Sequence, residues 1–489
     1  MIYSFHHYYH WLKGGVETGQ ANRAKLFRKL GLEAKFVFTT LFPDHNIWNE
    51  TRQLGYLNSE VLWMYSFFTD CKPSKVTYTL EQLEDTFDEE FIFSRKDSVA
   101  TYKFPSTNTY YNAFLMDASS DLVHSVVLIS NACLVRKDFY TYCRAYSEYY
   151  FPMNGQAILY MRRYFNEDGS VAYEELLEGG TILYKFPERV LYSREELVGY
   201  MMTCLHITEN DVVLIDGEWG MIHWAAFIQN AFPAKIGFIL HSNHFRESDE
   251  EHILWYDVFG YAFSHPEKIS FFATNTDAQS SLLREQFRYY KGLDVRVETI
   301  PVAYLDRIRV PKNTRRKHSL ITAGRLQGDK RTNWIISAVV MARKEIPDLT
   351  LDIFGEGDDK SKLQEQIGEL DCGEYVHLCG FHNLDEVYQG YEGYISASYG
   401  ETFGITLMEA IGSGLSIVGF DVPYGMQVFV DNEKNGYRIS LISVEGLANG
   451  IIRLFTEADL EAFRRHSYKK AEAYLEEKIE EQSRKLNSE

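Results

Sequence analysis

Apolar residues in the C-terminal half fall in short blocks separated by longer amphipathic stretches. The blocks are Ser319–Ala323, Leu351–Phe354, Tyr375–Leu378, Gly393–Ala397 and Ser416–Phe420. Runs this short, apolar throughout and rich in Ile, Val and aromatic residues, predict strands buried on both faces. Between them, apolar positions recur at helical spacing through Trp334–Lys344, Lys362–Leu370 and Thr406–Ile411. Strand alternating with helix predicts a parallel, doubly wound sheet, and such sheets place ligands beyond the carboxyl ends of their strands.

The start of the chain repeats the pattern. Strand Ile2–Phe5 leads through Lys13-Gly14-Gly15 into a helix over Val16–Leu30, and a strand follows at Ala34–Thr39. From about Asn46 to Lys185 the pattern changes to β-rich runs such as Ser125–Ile129 and Ala157–Tyr164. Turn residues at Asp117–Ser120, Glu167–Ser170 and Glu178–Gly180 punctuate them, which predicts an all-β insertion. Alternation resumes with helix Arg194–Leu205, strand Asp211–Ile215, helix Met221–Asn230 and strands Lys235–Leu240 and Ile269–Ala273. Pro301–Lys317 lacks periodicity and reads as a linker, and Glu457–Leu486 reads as a charged helix. The expected fold is α/β: two Rossmann-like doubly wound domains facing a cleft, with an all-β insertion in the first. The boundaries are 1–45 and 189–305 for the N-terminal domain, 46–188 for the insertion, 306–460 for the C-terminal domain and 461–489 for a terminal helix.

Composition adds exclusions. Of 489 residues, 50 are Lys or Arg and 69 are Asp or Glu, a net charge of -19 that disfavours a nucleic-acid binder working through a broad basic face. No apolar run reaches the roughly 18–20 residues of a membrane span. The N-terminus lacks the basic segment and apolar core of a secretory signal. The six cysteines form no C-x-x-C pair and no zinc-type spacing, so free thiols in a cytoplasmic protein are expected, with any membrane association supplied by a partner. Aromatic residues reach 15%; those in the insertion, such as Tyr146, Tyr149, Tyr150 and Phe151, suit either recognition of an acceptor or partner, or core packing.

Four motifs carry candidate chemistry. In Glu401-Thr402-Phe403-Gly404-Ile405-Thr406, a carboxylate precedes a helix start whose free N–H groups suit phosphate oxygens, and Glu409 follows inside the helix. The alternative is a loop acid capping a helix and a solvated glutamate. Arg325 and Lys330, after strand Ser319–Ala323, converge on a diphosphate or else are two surface cations. Gly14-Gly15 permits close backbone approach to a ligand or simply makes a turn; it does not match G-x-G-x-x-G. His241-Ser242-Asn243-His244 follows a strand, where a histidine can meet a sugar hydroxyl. A metal pair there lacks an acidic partner set, and His6, His7 and His10 read as a polar aromatic loop. No Asp-x-Asp occurs, so a metal-bridged diphosphate is unsupported and the cationic work falls to Arg325 and Lys330.

Together the R-x4-K pair (Arg325, Lys330) and the E-x7-E pair (Glu401, Glu409) resemble the GT-B glycosyltransferases of family 4. Within them the chain is similar to the GtfA-type catalytic transferases of the bacterial accessory Sec system, through "GGVETGQANRAKLFRKLG", "SEYYFP", "YFNEDGSVAYE", "SLITAGRL" and "TLMEAIGSGLSIVGFDVPYG". The resemblance implies a retaining, metal-independent, cofactor-free transfer of N-acetylglucosamine from UDP-GlcNAc to Ser/Thr hydroxyls of a serine-rich repeat adhesin. It also implies a GtfB-like stabilising partner, with the insertion contacting partner and acceptor. By position, Arg325 and Lys330 would bind the diphosphate, Glu401 the donor sugar and Glu409 the ribose. Gly404, Ile405 and Thr406 would offer N–H groups, with Gly14 and Gly15 near the diphosphate. His241 would sit near the reacting sugar, and Gly380-Phe381-His382 near the uracil. Two positions depart from the family: Thr402 in the usual E-G-F-G and Ser416 in the usual G-L-P. The first leaves glucose open as the donor sugar. Related chemistry on a Ser-Asp repeat protein or wall teichoic acid, or a non-catalytic acceptor-binding subunit, are the other readings.

Overall fold

The computed structural model describes residues 1–6, 14–41, 46–217, 233–440 and 442–486. The chain divides into two compact units. One comprises Met1–Trp11, Gly31–Gly237 and Tyr261–Ser270; the other comprises Leu12–Leu30, Phe238–Gly260 and Phe271–Glu489. Among the described residues no helix is long and apolar enough to cross a membrane. The expected helix Met221–Asn230, together with His7, His10 and Lys13, lies outside the described residues.

The second unit is built on six parallel strands. Their spatial order is Val376–Gly380, Thr350–Phe354, Ser319–Ala323, Gly393–Ser396, Ser416–Phe420 and Gly436–Ile439. The sheet is buried on both faces: Leu320, Ile321, Leu351, Ile395, Ile417 and Val418 are wholly inaccessible to solvent. Burying one such side chain stabilises by about 1.5–3 kcal/mol, which explains why these strands read as continuous apolar blocks. In chain order the strands run 3-2-1-4-5-6, so direction of winding reverses between Ser319–Ala323 and Gly393–Ser396. A ligand crevice is expected outside the carboxyl ends of those two strands.

The stretch read as a linker, Pro301–Lys317, is instead a packed strap within this unit. It has no helix or strand, yet Val302, Ala303, Leu305, Arg309 and Arg315 are buried. Arg315 donates to the carbonyls of Tyr391 and Ser413, each at 2.6 Å, satisfying chain ends that periodicity does not reveal. Leu305 N–H donates to Tyr474 O, and Leu305 O accepts from Glu476 N–H. That exchange falls where the C-terminal segment breaks, so the single charged helix expected there is two, Leu460–Ala471 and Glu476–Leu486.

In the first unit, parallel strands lie in the order Val212–Asp216, Ile2–His6, Ala34–Phe38 and Val61–Trp63. His6 ends one of these strands and does not belong to a loop. It is fully buried, 3.0 Å from Ser4 Oγ and 3.6 Å from Asp216 Oδ2. A ten-stranded antiparallel meander runs from Ile92–Lys96 to Val190–Leu191, each strand pairing with the next. It begins later than about residue 46. Helices Ile47–Leu54, Met64–Phe67 and Leu80–Glu84 occupy the interval, set by the Asn46 N-cap on Trp48 N–H, Gly55 at φ +99°, and the Thr79–Gln82 capping box. Phe139, Tyr146, Tyr164 and Tyr173 stand directly opposite one another on four successive strands. Their rings stack at 4.4, 5.6 and 4.4 Å between centroids, and all four are buried. Much of the insertion's aromatic content is therefore core, joined by Trp63 and Tyr65; Phe151 and Tyr160 remain exposed.

Candidate active site

The sequence-predicted site residues all belong to the second unit, and two loops at the winding reversal carry most of them. After strand Ser319–Ala323 the chain passes Arg325 and turns through a single 3-10 turn, Gly328–Lys330. After Gly393–Ser396 it runs through Ser398 and Glu401 to Gly404. Tyr399 N–H donates to Asp329 O at 2.9 Å, clipping the two loops together. Lys330 Nζ then lies 2.6 Å from Glu401 Oε1, and Ser398 Oγ donates to the same oxygen at 2.7 Å. Both charged side chains are mostly shielded from water, which makes this a charge-assisted pair of the stronger kind. Arg325 is exposed, and its guanidinium has no side-chain partner among the described residues.

Gly404 supplies the N-cap of helix Ile405–Gly412 at φ +86°, a conformation that strains any residue with a Cβ. With glycine there and no capping side chain, the N–H groups of Ile405 and Thr406 stay available at the positive end of the helix. Thr406 is held from behind: Tyr394 OH, 3.0 Å from Ala323 O, lies 2.8 Å from Thr406 Oγ1. The other glycine pair meets this helix start. A Cβ on Gly15 would sit 3.8 Å from Ile405 Cδ1, so the N-terminus of helix Gly15–Lys29 abuts that of Ile405–Gly412. Gly14 N–H is already accepted by Glu17 Oε2 at 3.0 Å. Two helix starts converging beside a Lys–Glu pair form a local positive field within an acidic chain.

Glu409 lies one turn into the helix. Burial pushes its carboxyl up to about 7, against the lowering effect of the Tyr388 hydroxyl, which donates to it at 3.0 Å. A carboxylate kept out of water in this way gains most from hydroxyl donors, such as a vicinal diol.

His241 is half-buried beyond strand Lys235–Ile239, and its loop is tied to the Glu401 loop through Tyr424. Tyr424 N–H donates to Glu401 O at 2.8 Å, and Tyr424 OH donates to Asn243 Oδ1 at 3.1 Å. His244 does not share a ligand-facing role with His241. It is fully buried, stacked on Tyr424, and paired with Gln286 Oε1 at 2.6 Å; burial lowers its pKa to about 4. Gly425 seals the same turn: a Cβ there would fall 1.9 Å from Phe403 O, and its N–H donates to Glu401 O.

Phe381 is 66% exposed, and His382 folds back so that Nε2 donates to Cys379 O at 2.8 Å, with its ring edge-on to Phe354. Among the described residues neither shares a hydrogen bond or ring contact with Lys330, Glu401 or Glu409. Sequence reasoning missed Ser398, Tyr388, Tyr394 and Tyr424. Tyr388, Tyr394 and Tyr424 act on the site through contacts between elements distant in sequence, which leave no spacing signal, and Ser398 acts within the Glu401 loop itself. Among the described residues no three His, Cys, Asp or Glu side chains gather to hold a metal ion.

Residues 306–473 match the family of glycosyl transferases group 1, and residues 92–188 match the GtfA extended beta-sheet domain. The chain is 40% identical to the UDP-N-acetylglucosamine--peptide N-acetylglucosaminyltransferase GtfA subunit of Streptococcus agalactiae, over 98% of this chain and 96% of that protein. It superposes on the crystal structure of the pneumococcal O-GlcNAc transferase GtfA in complex with UDP and GlcNAc with a TM-score of 0.93, at 36% identity, over 99% of this chain and 98% of that one. A chain of the GtfA/B complex gives a TM-score of 0.91 at 38% identity, over 99% and 98% of the two chains. The chain belongs to the GtfA family of glycosyltransferases, and its fold is GT-B, two Rossmann-like halves with an antiparallel sheet inserted in the first.

Proposed function

We propose that this chain transfers N-acetylglucosamine from UDP-GlcNAc to serine and threonine hydroxyls of a serine-rich repeat polypeptide, in the cytoplasm, alongside a GtfB-like partner. One observation carries the assignment of its site: Lys330 and Glu401 meet at the winding reversal of the sheet, beside two converging helix starts. In this reading Arg325 and Lys330 bind the diphosphate, with Gly14, Gly15, Gly404, Ile405 and Thr406 offering close backbone and N–H groups. Glu401 accepts from donor-sugar hydroxyls, Glu409 from the ribose diol, and His241 lies near the reacting sugar. Phe381 and His382 flank the uracil.

The reaction forms a bond between the acceptor oxygen and the anomeric carbon and breaks the bond from that carbon to the β-phosphate. The acceptor proton passes to a leaving phosphate oxygen, and UDP departs. Front-face attack of this kind retains the anomeric configuration. Charge accumulates on the leaving phosphate, where Arg325, Lys330 and the helix N–H groups stabilise it; the reaction proceeds without a metal cofactor. The test is intact-mass measurement of a serine-rich peptide after incubation with several UDP-sugars, using wild type and Lys330→Ala. The expected result is addition of N-acetylhexosamine by wild type alone. Equal modification by both proteins would remove the site assignment, and addition of hexose would change the donor.

A further inference from the structure

The loop that carries His241 is pinned by two amides to which the transfer reaction gives no role. Strands Lys235–Ile239 and Phe271–Thr274 are neighbours in one sheet, and past the end of the first Leu240 N–H donates to Ala273 O at 2.8 Å. Beyond the second strand the chain passes Asn275 and the N-cap Thr276 into helix Asp277–Gln286. Asn275 and Gln279 both reach the neighbouring loop. Asn275 Nδ2 donates to Leu240 O at 3.3 Å, and Gln279 Nε2 donates to Ser242 O at 2.8 Å. The two pinned carbonyls bracket His241. Tyr424 OH holds the next residue, donating to Asn243 Oδ1 at 3.1 Å. The helix start that supplies the amides is itself fixed. Gln279 N–H donates to Thr276 Oγ1 at 3.2 Å, and Ser280 Oγ lies 2.7 Å from Thr274 Oγ1 and 2.9 Å from Thr299 Oγ1.

The pinning carries an energetic cost. A carbonyl accepts only from a donor, so each amide must turn its nitrogen to the loop. Both side chains are buried, and Asn275 Oδ1 and Gln279 Oε1 are left with no hydrogen-bond partner among the described residues. A buried acceptor without a donor destabilises the fold, and its retention needs a reason. Ser242 is half-buried, so water could serve its carbonyl in place of Gln279. Stability alone therefore does not account for Gln279. What the amides add is a fixed backbone for the residue between the two carbonyls. Transfer depends on such placement: an error of about 1 Å can cost roughly a hundredfold in rate.

Resting on the transferase reading, which puts His241 near the reacting sugar, we propose that Asn275 and Gln279 are positioning residues for the transfer, acting through His241. The test is a double-variant cycle on the full-length chain. UDP release with saturating serine-rich peptide is measured for wild type, Gln279→Met, His241→Ala and the two combined. Gln279→Met keeps the side-chain length and the capping N–H and removes the unmatched oxygen, so the melting temperature should hold. Its kcat should fall about ten- to a hundredfold, with KM for UDP-GlcNAc within about twofold of wild type. In the His241→Ala background the same substitution should cost less than about threefold, because the residue it positions is gone. Gln279→Glu turns an oxygen toward Ser242 O and should lose at least as much as Gln279→Met. Asn275→Leu, which removes the longer bond, should lose less. Wild-type turnover in both Gln279 variants overturns the proposal. An equal fold-loss with and without His241 also overturns it, since a general structural defect acts in both backgrounds. His241→Ala turning over like wild type removes His241 from the reaction, and the proposal with it. A loss in His241→Ala with both Gln279 variants fully active removes only the proposal and leaves the transferase reading standing.

Discussion

Replacing Lys330 with alanine tests the pairing on which the active-site assignment turns. The substitution removes one charge-assisted bond of 2.6 Å to Glu401, while Ser398 still donates to the same carboxylate oxygen at 2.7 Å. Glu401 therefore keeps an anchor, and the main loss falls on the reaction. Losing one preorganised donor aimed at developing charge costs about 10²–10³ in kcat, or about 2.7–4 kcal/mol. Arg325 and the helix N–H groups remain, so KM for UDP-GlcNAc should rise less than kcat falls. Glu401→Gln preserves the Ser398 bond but loses the charge that Lys330 faces. Because the two side chains touch, the double variant should depart from additivity by about 0.5–3 kcal/mol. Initial rates of UDP release with saturating serine-rich peptide measure all three. A Lys330→Ala enzyme within about threefold of wild type, less than 1 kcal/mol by the rate relation, would refute the argument. So would strict additivity.

Other expectations follow from the same geometry. Glu409 must be ionised to accept from a ribose diol, and burial holds it near 7; UDP-GlcNAc affinity should rise as pH increases through about 7 and level off above it, with Glu409→Gln flattening the profile in a titration series. Gly425→Ala places a Cβ 1.9 Å from Phe403 O; it should lower the melting temperature and abolish transfer, whereas a fully active, equally stable variant would show that the turn behind Glu401 yields freely. Transfer should proceed at an unchanged rate in excess EDTA, measured by the same UDP-release assay, and loss of rate restored by a divalent cation would contradict the cationic role given to Arg325 and Lys330. Cys71 and Cys143 bring their sulfurs to 3.3 Å. A diazene oxidant, itself reduced by the two thiol hydrogens, should close one intramolecular disulfide, seen as the loss of two hydrogens by mass and absent in Cys143→Ser.

The parallel sheets were legible because strands buried on both faces leave unbroken apolar blocks, and the loops at their carboxyl ends then located Arg325, Lys330 and Glu401. The interval from 46 to 91 was not, since its helices of four to eight residues are too short for a period. Their capping residues, Asn46, Gly55 and the Thr79–Gln82 box, were the available signal. Pro301–Lys317 hid its role because its order comes from Arg315 reaching distant carbonyls, a tertiary property. Tyr388, on a short turn, and Tyr394, on a strand, support the site from 21 and 12 residues away in sequence, through Glu409 and Thr406 respectively. The aromatic excess looked like a surface for recognition, yet the register of Phe139, Tyr146, Tyr164 and Tyr173 turns much of it into core.

The most direct test of the central claim is NMR of the first glycopeptide formed from UDP-GlcNAc and a serine-rich peptide. The account predicts a single N-acetylglucosamine joined to a serine or threonine oxygen in the α configuration of the donor. A β-linked sugar, or a peptide left unmodified while wild-type protein binds UDP-GlcNAc, would contradict it.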